Sequence, residues 1–250
     1  MVGMRLNYVE TGPADAPVVL LGSSLGATQA MWAPQVDVLA KRFRVIAFDH
    51  RGHGGSEVPD GPYTIDDLGG DVVELLDTLE VEQASYVGIS LGGAVGLWLA
   101  QNAPDRFHRF VLICPPSNPA ENPQPWIDRA SQVRAEGTQA ITEATLGRWF
   151  LPEFKDIDPI RQLLRDCPAE GYAACCEALS TTNLLPGLPD ITAPVLVITA
   201  DSDTSVPPET VIPLATQIPG AHLEIIENAA HLVTYSHPDV INPLLLAHLG

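Results

Sequence analysis

Apolar and polar positions along this chain follow two periods, about two for strands and about 3.6 for helices. Pro17-Val18-Val19-Leu20-Leu21 is a continuous apolar run, the pattern of a strand buried on both faces of a parallel sheet. Similar runs occur at Arg44–Asp49, Ala84–Val87, Phe110–Cys114 and Pro194–Thr199, and Leu223–Glu227 predicts the last strand. Leu6–Glu10 alternates instead and stops at Thr11-Gly12-Pro13, which predicts a half-exposed strand before a turn. Helical spacing fills the intervals. Met31, Trp32, Val36, Leu39 and Ala40 predict a helix over 31–41. Ile65, Leu68, Val72, Leu75, Leu76 and Leu79 predict another, capped by Thr64, with Asp66, Asp67 and Asp71 near its positive end. Ala94–Ala100 and Asp239–Leu249 have the same character.

Between Pro115 and Pro189 the strand pattern disappears. Prolines at 115, 116, 119, 123 and 125 mark an exit from the sheet, and helical pieces follow at about 126–136, 138–150, 157–166 and 170–180. Strands alternating with helices on both sides of this break predict an α/β fold with a mainly parallel, doubly wound sheet. Residues 1–114 and 190–250 would form the core, and 115–189 a helical lid inserted above the C-terminal ends of the strands. Ligands bind at that edge in such sheets.

Composition narrows the possibilities. With 250 residues and 46% hydrophobic content, one domain with an insertion is expected. A formal charge of −18, from 13 basic and 31 acidic residues, argues against nucleic acid or an anionic membrane as partner. Met1–Arg5 has neither the signal-peptide nor the transit-peptide pattern, and no apolar run reaches spanning length. A cytoplasmic location is the expectation. Cys114, Cys167, Cys175 and Cys176 lack metal-ligand spacing and are expected as reduced, buried small residues. Neither a metal nor a cofactor is expected.

One stretch carries chemistry. Gly88-Ile89-Ser90-Leu91-Gly92 lies between a predicted strand and a predicted helix, so Ser90 falls on a sharp corner with its hydroxyl exposed. Such a corner predicts positive φ at Ser90 and leaves no room for a Cβ at the flanking glycines. A serine nucleophile needs a base, and the base an orienting acid. Of seven histidines, His231 follows the last strand at the same sheet edge, and Asp201 and Asp203 follow the strand before it. The order Ser90, Asp, His231 is that of α/β-hydrolases. Oxyanion donors are expected from the Leu91 N–H and from the loop after Leu20-Leu21. His53, in a glycine-rich loop after a strand, is an alternative base.

The chain resembles the 3-oxoadipate enol-lactonases of the β-ketoadipate pathway nearly end to end. Ser24-Leu25-Gly26-Ala27 with Met31-Trp32-Ala33-Pro34-Gln35 resembles their N-S-L-G-x(4)-M-W-x-P-Q. Asp49–Ser56 and Gly61–Leu68 resemble R-G-H-G-x-S and G-P-Y-T-I-x-D-L. Arg148-Trp149-Phe150 and Glu170–Cys176 resemble R-W-F and E-G-Y-x-x-C-C. Ser23, Ala200 and a short N-terminus that would omit the first strand are departures.

The resemblance implies a serine hydrolase that opens an anionic lactone to 3-oxoadipate without metal or cofactor. Alignment on Pro207 to Gly-x-x-Asp-x-x-x-Pro implies Asp203 as the acid. Superposing Ser23-Ser24-Leu25-Gly26 on the common His-Gly-x-x implies Leu25 as the second oxyanion donor. The loop holding His53 is usually structural in that superfamily. In the lid, Arg148 or its neighbours would hold the substrate carboxylate, with Trp149 and Trp126 as pocket walls. A broader esterase or perhydrolase, and a non-catalytic ligand-binding protein on the same fold, are the alternatives. An aspartate nucleophile, as in epoxide hydrolases and dehalogenases, is disfavoured by Ser90.

Overall fold

A seven-stranded sheet runs through the computed structural model, which describes residues 4–250. Met1–Gly3, most of the segment inspected for a leader, lie outside the described residues. The strands are β1 (Tyr8–Thr11), β2 (Val18–Gly22), β3 (Arg44–Phe48), β4 (Ala84–Ile89), β5 (Phe107–Ile113), β6 (Val195–Ala200) and β7 (His222–Ile226). Their order across the sheet is β1-β3-β2-β4-β5-β6-β7, and β1 alone is antiparallel to its neighbour. Every residue of β4 and β6 is buried, as the unbroken apolar runs require. β1, at the edge, is largely exposed. The chain leaves β2 for β3 on one side and returns to β4 on the other. This reversal opens a crevice at the C-terminal ends of β2 and β4.

Helices α1 (Ala33–Leu39), α2 (Ile65–Thr78) and α3 (Leu91–Asn102) join these first strands. The helix expected over 31–41 divides into a 3-10 turn, Gln29–Trp32, and α1, because Pro34 favours a fresh start in the first turn. Thr64 caps α2 as expected, in a reciprocal box with Asp67. Asp71 differs from expectation. It is buried one turn further on and accepts two hydrogen bonds of 2.6 Å from Arg51, so a guanidinium partners it rather than the helix terminus.

Between β5 and β6 stand α4 (Gln124–Glu136), α5 (Thr142–Trp149), α6 (Asp158–Asp166) and α7 (Ala169–Thr181), with no strand among the described residues. α7 sits directly on the loop after β3: a Cβ on Gly171 would lie 1.9 Å from the Gly52 carbonyl oxygen. After β6 come α8 (Pro208–Gln217), α9 (Val233–Ser236) and α10 (Pro238–Leu249). None of the described helices is long and apolar enough to cross a membrane. α8 is absent from the pattern-based expectation because Pro207, Pro208 and Pro213 read as breakers. Pro208 occupies its first position, where the missing N–H costs nothing, and buried Val211, Leu214 and Ala215 hold it down.

The β4–α3 corner rests on β2 through glycine alone. A Cβ on Gly92 would stand 2.2 Å from Gly22 O, and one on Gly88 2.2 Å from Gly92 O. Gly92→Ala should therefore lower the unfolding free energy by about 1–3 kcal/mol through overpacking. Gly70, inside α2 with open space around it, gives the opposite sign. Gly70→Ala should raise stability by about 0.5–1 kcal/mol. Urea denaturation of the two variants beside the parent checks both.

Candidate active site

Ser90 stands at the corner between β4 and α3 with φ 55° and ψ −113°. The strained backbone is held from two sides. Ser90 N–H donates to Ile113 O at 2.9 Å, and Gly92 N–H donates to Ser23 O at 3.0 Å. Among the described residues, no protein acceptor receives the N–H of Leu91 or Leu25. Both belong to segments beside Ser90: Leu91 opens α3, and Leu25 lies in the loop after β2.

Of the two aspartates that chain order left open, Asp203 meets His231, the one the family resemblance implies. His231 Nδ1 lies 2.6 Å from Asp203 Oδ2, and both side chains are almost fully buried. Asp203 Oδ1 accepts from the N–H groups of Ser205 (2.7 Å) and Val206 (3.0 Å). Burial works to raise the Asp203 carboxyl. The His231 imidazole, its hydrogen bond and the two backbone donors outweigh it and hold the group below its ordinary value. Asp201 faces solvent. Its carboxylate accepts from Asn228 N–H (2.9 Å) and Ala229 N–H (3.3 Å), so it shapes the loop that delivers His231.

Cys114 is more than a space-filler here. It sits just past β5 at φ 45°, and its sulfur, the Asp203 carboxylate and the His231 ring present atoms within 4.8 Å of one another. Burial first, then the Asp203 charge, pushes its thiol well up. A protonated thiol beside an imidazole N–H already engaged by a carboxylate is a hydrogen-bond set, not a metal-ligand set. Nothing in the local sequence distinguishes Cys114 from other buried cysteines. Its position at the end of the strand next to the aspartate-bearing β6 is the one available sign.

His53, weighed as a second base, lies under the Ser23–Gly26 loop and is bonded on both ring nitrogens to backbone. His50 is its neighbour, pushed down to about 3 chiefly by burial and further by His53. Both support the loop rather than face the cavity.

A cavity of about 680 Å³ opens above Ser90 and His231. Trp126, Arg129, Arg148 and Trp149 come to it from α4 and α5, whereas Pro213 and Leu214 come from α8. Trp149 also packs its ring 6.2 Å from the His231 ring, centroid to centroid, and its carbonyl accepts from Leu232 N–H. The six basic residues of this region differ in their partners. Arg134, Arg161 and Arg165 pair with glutamates, and Lys155 donates to a backbone carbonyl. Arg129 and Arg148 have no carboxylate partner among the described residues. Arg129 lies 5.1 Å over the Trp126 ring. Arg148 is half-buried, and its guanidinium donates to Thr145 Oγ1 at 3.3 Å. Burial, then the Arg129 charge, lowers its pKa, as expected for a cation without an anion.

A family profile described as the alpha/beta hydrolase fold matches residues 16–147. The chain is 40% identical over 247 residues to 3-oxoadipate enol-lactonase 2 of Acinetobacter baylyi, covering 96% of this chain and 91% of that one. It is 34% identical to 3-oxoadipate enol-lactonase 1 of the same organism, over 95% and 90%. The solved enol-lactonase of Burkholderia xenovorans LB400 superposes with a TM-score of 0.92 at 37% identity, over 99% of this chain and 97% of that one.

The lowered carboxyl of Asp203 gives this site a pH signature. A depressed folded pKa contributes stability that is complete above the unfolded value of about 4 and is lost as pH falls through the lower folded value. Asp203→Asn should therefore destabilise the protein at neutral pH and flatten the acid limb of its stability curve. Thermal unfolding from about pH 6 down to about pH 2 measures both effects.

Proposed function

The chain belongs to the α/β-hydrolase fold family, in the branch of the 3-oxoadipate enol-lactonases, and from that premise we propose that it opens 3-oxoadipate enol-lactone to 3-oxoadipate in the β-ketoadipate route. The observation that carries this reading is the conjunction in one cavity: Ser90 and the His231–Asp203 pair at its base, and two arginines without acid partners in its wall.

His231 Nε2 takes the Ser90 proton as Oγ attacks the ring carbonyl. The N–H groups of Leu25 and Leu91 receive the oxyanion, and Asp203 steadies the imidazolium through Nδ1–H. The ring C–O bond breaks, and His231 returns its proton to the departing enol oxygen. Tautomerisation to the ketone removes the nucleophile that would otherwise close the ring again. His231 then activates water, which releases the acyl group from Ser90. The substrate's acetate carboxylate must lose water on entry, a cost that a guanidinium offsets. Arg148 and Arg129 supply that charge within a protein of net −18. Trp126 and Trp149 wall the same region. The apolar α8 wall supports a second, wider reading as a carboxylesterase.

Loss of the ultraviolet absorbance of freshly generated enol-lactone is the direct assay. Ser90→Ala and His231→Ala should each cut kcat by at least about 10⁴-fold with the fold intact, because the groups act as a unit. Asp203→Asn should lose far more activity than Asp201→Asn. Equal loss in the two would move the acid assignment.

Arg148→Met should raise KM for the enol-lactone at least tenfold, roughly 1.4 kcal/mol, with Arg129→Met in the same direction. Hydrolysis of the uncharged p-nitrophenyl acetate should change little in either. Equal losses on both substrates would assign these arginines to the folding of the lid.

A further inference from the structure

The cavity is larger than the enol-lactone needs. A lactone of about ten heavy atoms fills about 300 Å³ at the ~30 Å³ each that water takes in the liquid. The cavity offers about 680 Å³. Its extent follows from the sheet. Ser24 and Leu25 line it after β2, and Ser205 and Val206 line it after β6. β4, which carries Ser90, stands one strand from β2 and two from β6. The cavity therefore crosses about 14 Å of sheet edge, three strand spacings, and its longer side lies toward β6. The guanidiniums gather on the shorter side. Tyr172 of α7 lines the cavity there and presses on Gly26, and α4, which bears Arg129, packs along α7. The wall of the longer side is α8. Thr210, Pro213, Leu214 and Gln217 line the cavity, and steps of three and four residues put them on one face of the helix. That face runs about 10 Å at 1.5 Å per residue, and Val206 continues it toward Asp203. Both cavity guanidiniums come from α4 and α5, and the one acid lining the cavity, Glu121, would repel a second carboxylate. The long side thus suits an uncharged group.

We propose that this site takes a class of two-ended esters and lactones, with a carboxylate on the leaving-oxygen side at Arg148 and Arg129 and an uncharged alkyl arm on the acyl side along α8. The inference rests on the reading of Ser90 as nucleophile and of the arginines as the anion's end. The enol-lactone itself fixes the polarity. Its acetate group is on the carbon that bears the leaving oxygen, so with that group at the arginines the acyl carbons point toward α8. An open ester reacts as the lactone does, except that the two parts separate. Ser90 Oγ bonds to the acyl carbon, the ester C–O bond breaks, and the alcohol leaves with the proton that His231 returns. Water then adds to the acyl group and frees the acid and Ser90. Each methylene buried along α8 favours the complex by about fourfold.

A series of 3-acyloxybenzoates, from acetyl to octanoyl, carries both ends at once, and release of 3-hydroxybenzoate is followed in the ultraviolet. From acetyl to hexanoyl, kcat/KM should rise at least about tenfold. A series that is flat or falls beyond acetyl would overturn the proposal. Gln217→Trp puts bulk on an exposed position at the far turn of the α8 face. It should lower the octanoyl-to-acetyl ratio of kcat/KM at least about fivefold. Thr216→Trp, on the same turn but outside the cavity lining, should keep the parent's ratio. Equal ratios in the two variants would overturn the assignment of the arm to α8. Arg148→Met should lower kcat/KM across the whole series by a common factor and leave the ratio within about twofold, because it touches the other end. A ratio that collapsed with it would overturn the separation of the two ends. If the parent cleaves the acyloxybenzoates but not the enol-lactone, the lactonase reading fails while the chain-length comparison stands. If it cleaves the lactone and shows a flat series, the lactonase reading stands and the alkyl arm fails.

Discussion

Three backbone segments meet at van der Waals limits where Gly22, Gly88 and Gly92 face one another, and the site depends on that approach. It lets the start of α3 lean against the end of β2, so that Gly92 N–H reaches Ser23 O. The Ser90 corner and the loop bearing Leu25 thereby become one hydrogen-bonded unit. The positive φ of Ser90 follows from the same constraint, since a chain turning from β4 into α3 within one residue has no relaxed alternative. Chemistry is placed here by backbone contact first and by side chains second.

The acidic surface and the lid arginines belong to one electrostatic design. Three of the six basic residues of the lid pair with glutamates, and the two without a carboxylate partner among the described residues, Arg129 and Arg148, stand in the cavity wall. An anion approaching a protein of charge −18 meets repulsion at long range that salt screens within about 8–10 Å. At short range it meets Arg148 and Arg129 in a partly dry setting, where their attraction is far stronger per charge. On the proposed reading, selectivity for an anionic substrate would come from the contrast between the two distances, not from net charge.

The sequence was informative wherever periodicity or chain order expresses a physical requirement. Buried parallel strands must be continuously apolar, and β4 and β6 are. The four helices between β5 and β6 are legible from their spacing to within a few residues. The Asp203–His231 contact could be anticipated because both residues follow strands at one sheet edge, although spacing alone left Asp201 in contention. What escaped depends on tertiary partners. α8 is masked by its prolines: Pro208 begins the helix, and buried Val211, Leu214 and Ala215 hold it in place although Pro213 lies inside it. Asp71 belongs to Arg51, twenty residues away in the chain, and Cys114 joins Asp203 across two strands. Partners of this kind leave no periodic trace.

The contact between Gly171 and Gly52 bears on how such an enzyme can change its diet. α7 is seated on the loop that begins with Arg51, and its Tyr172 presses on Gly26, so one end of the lid is part of the foundation of the reaction centre. α4, which brings Trp126 and Arg129, contributes no such seat, whereas α5 is tied beside His231 by Trp149, whose carbonyl accepts from Leu232 N–H. Drift in α4 is therefore the easier route to new substrates, while α7 and the Trp149 end of α5 are bound to the reaction centre. A lid transplanted between hydrolases would spare the host's reaction centre only if the graft kept the host's α7 and its Trp149 contact to the His231 loop.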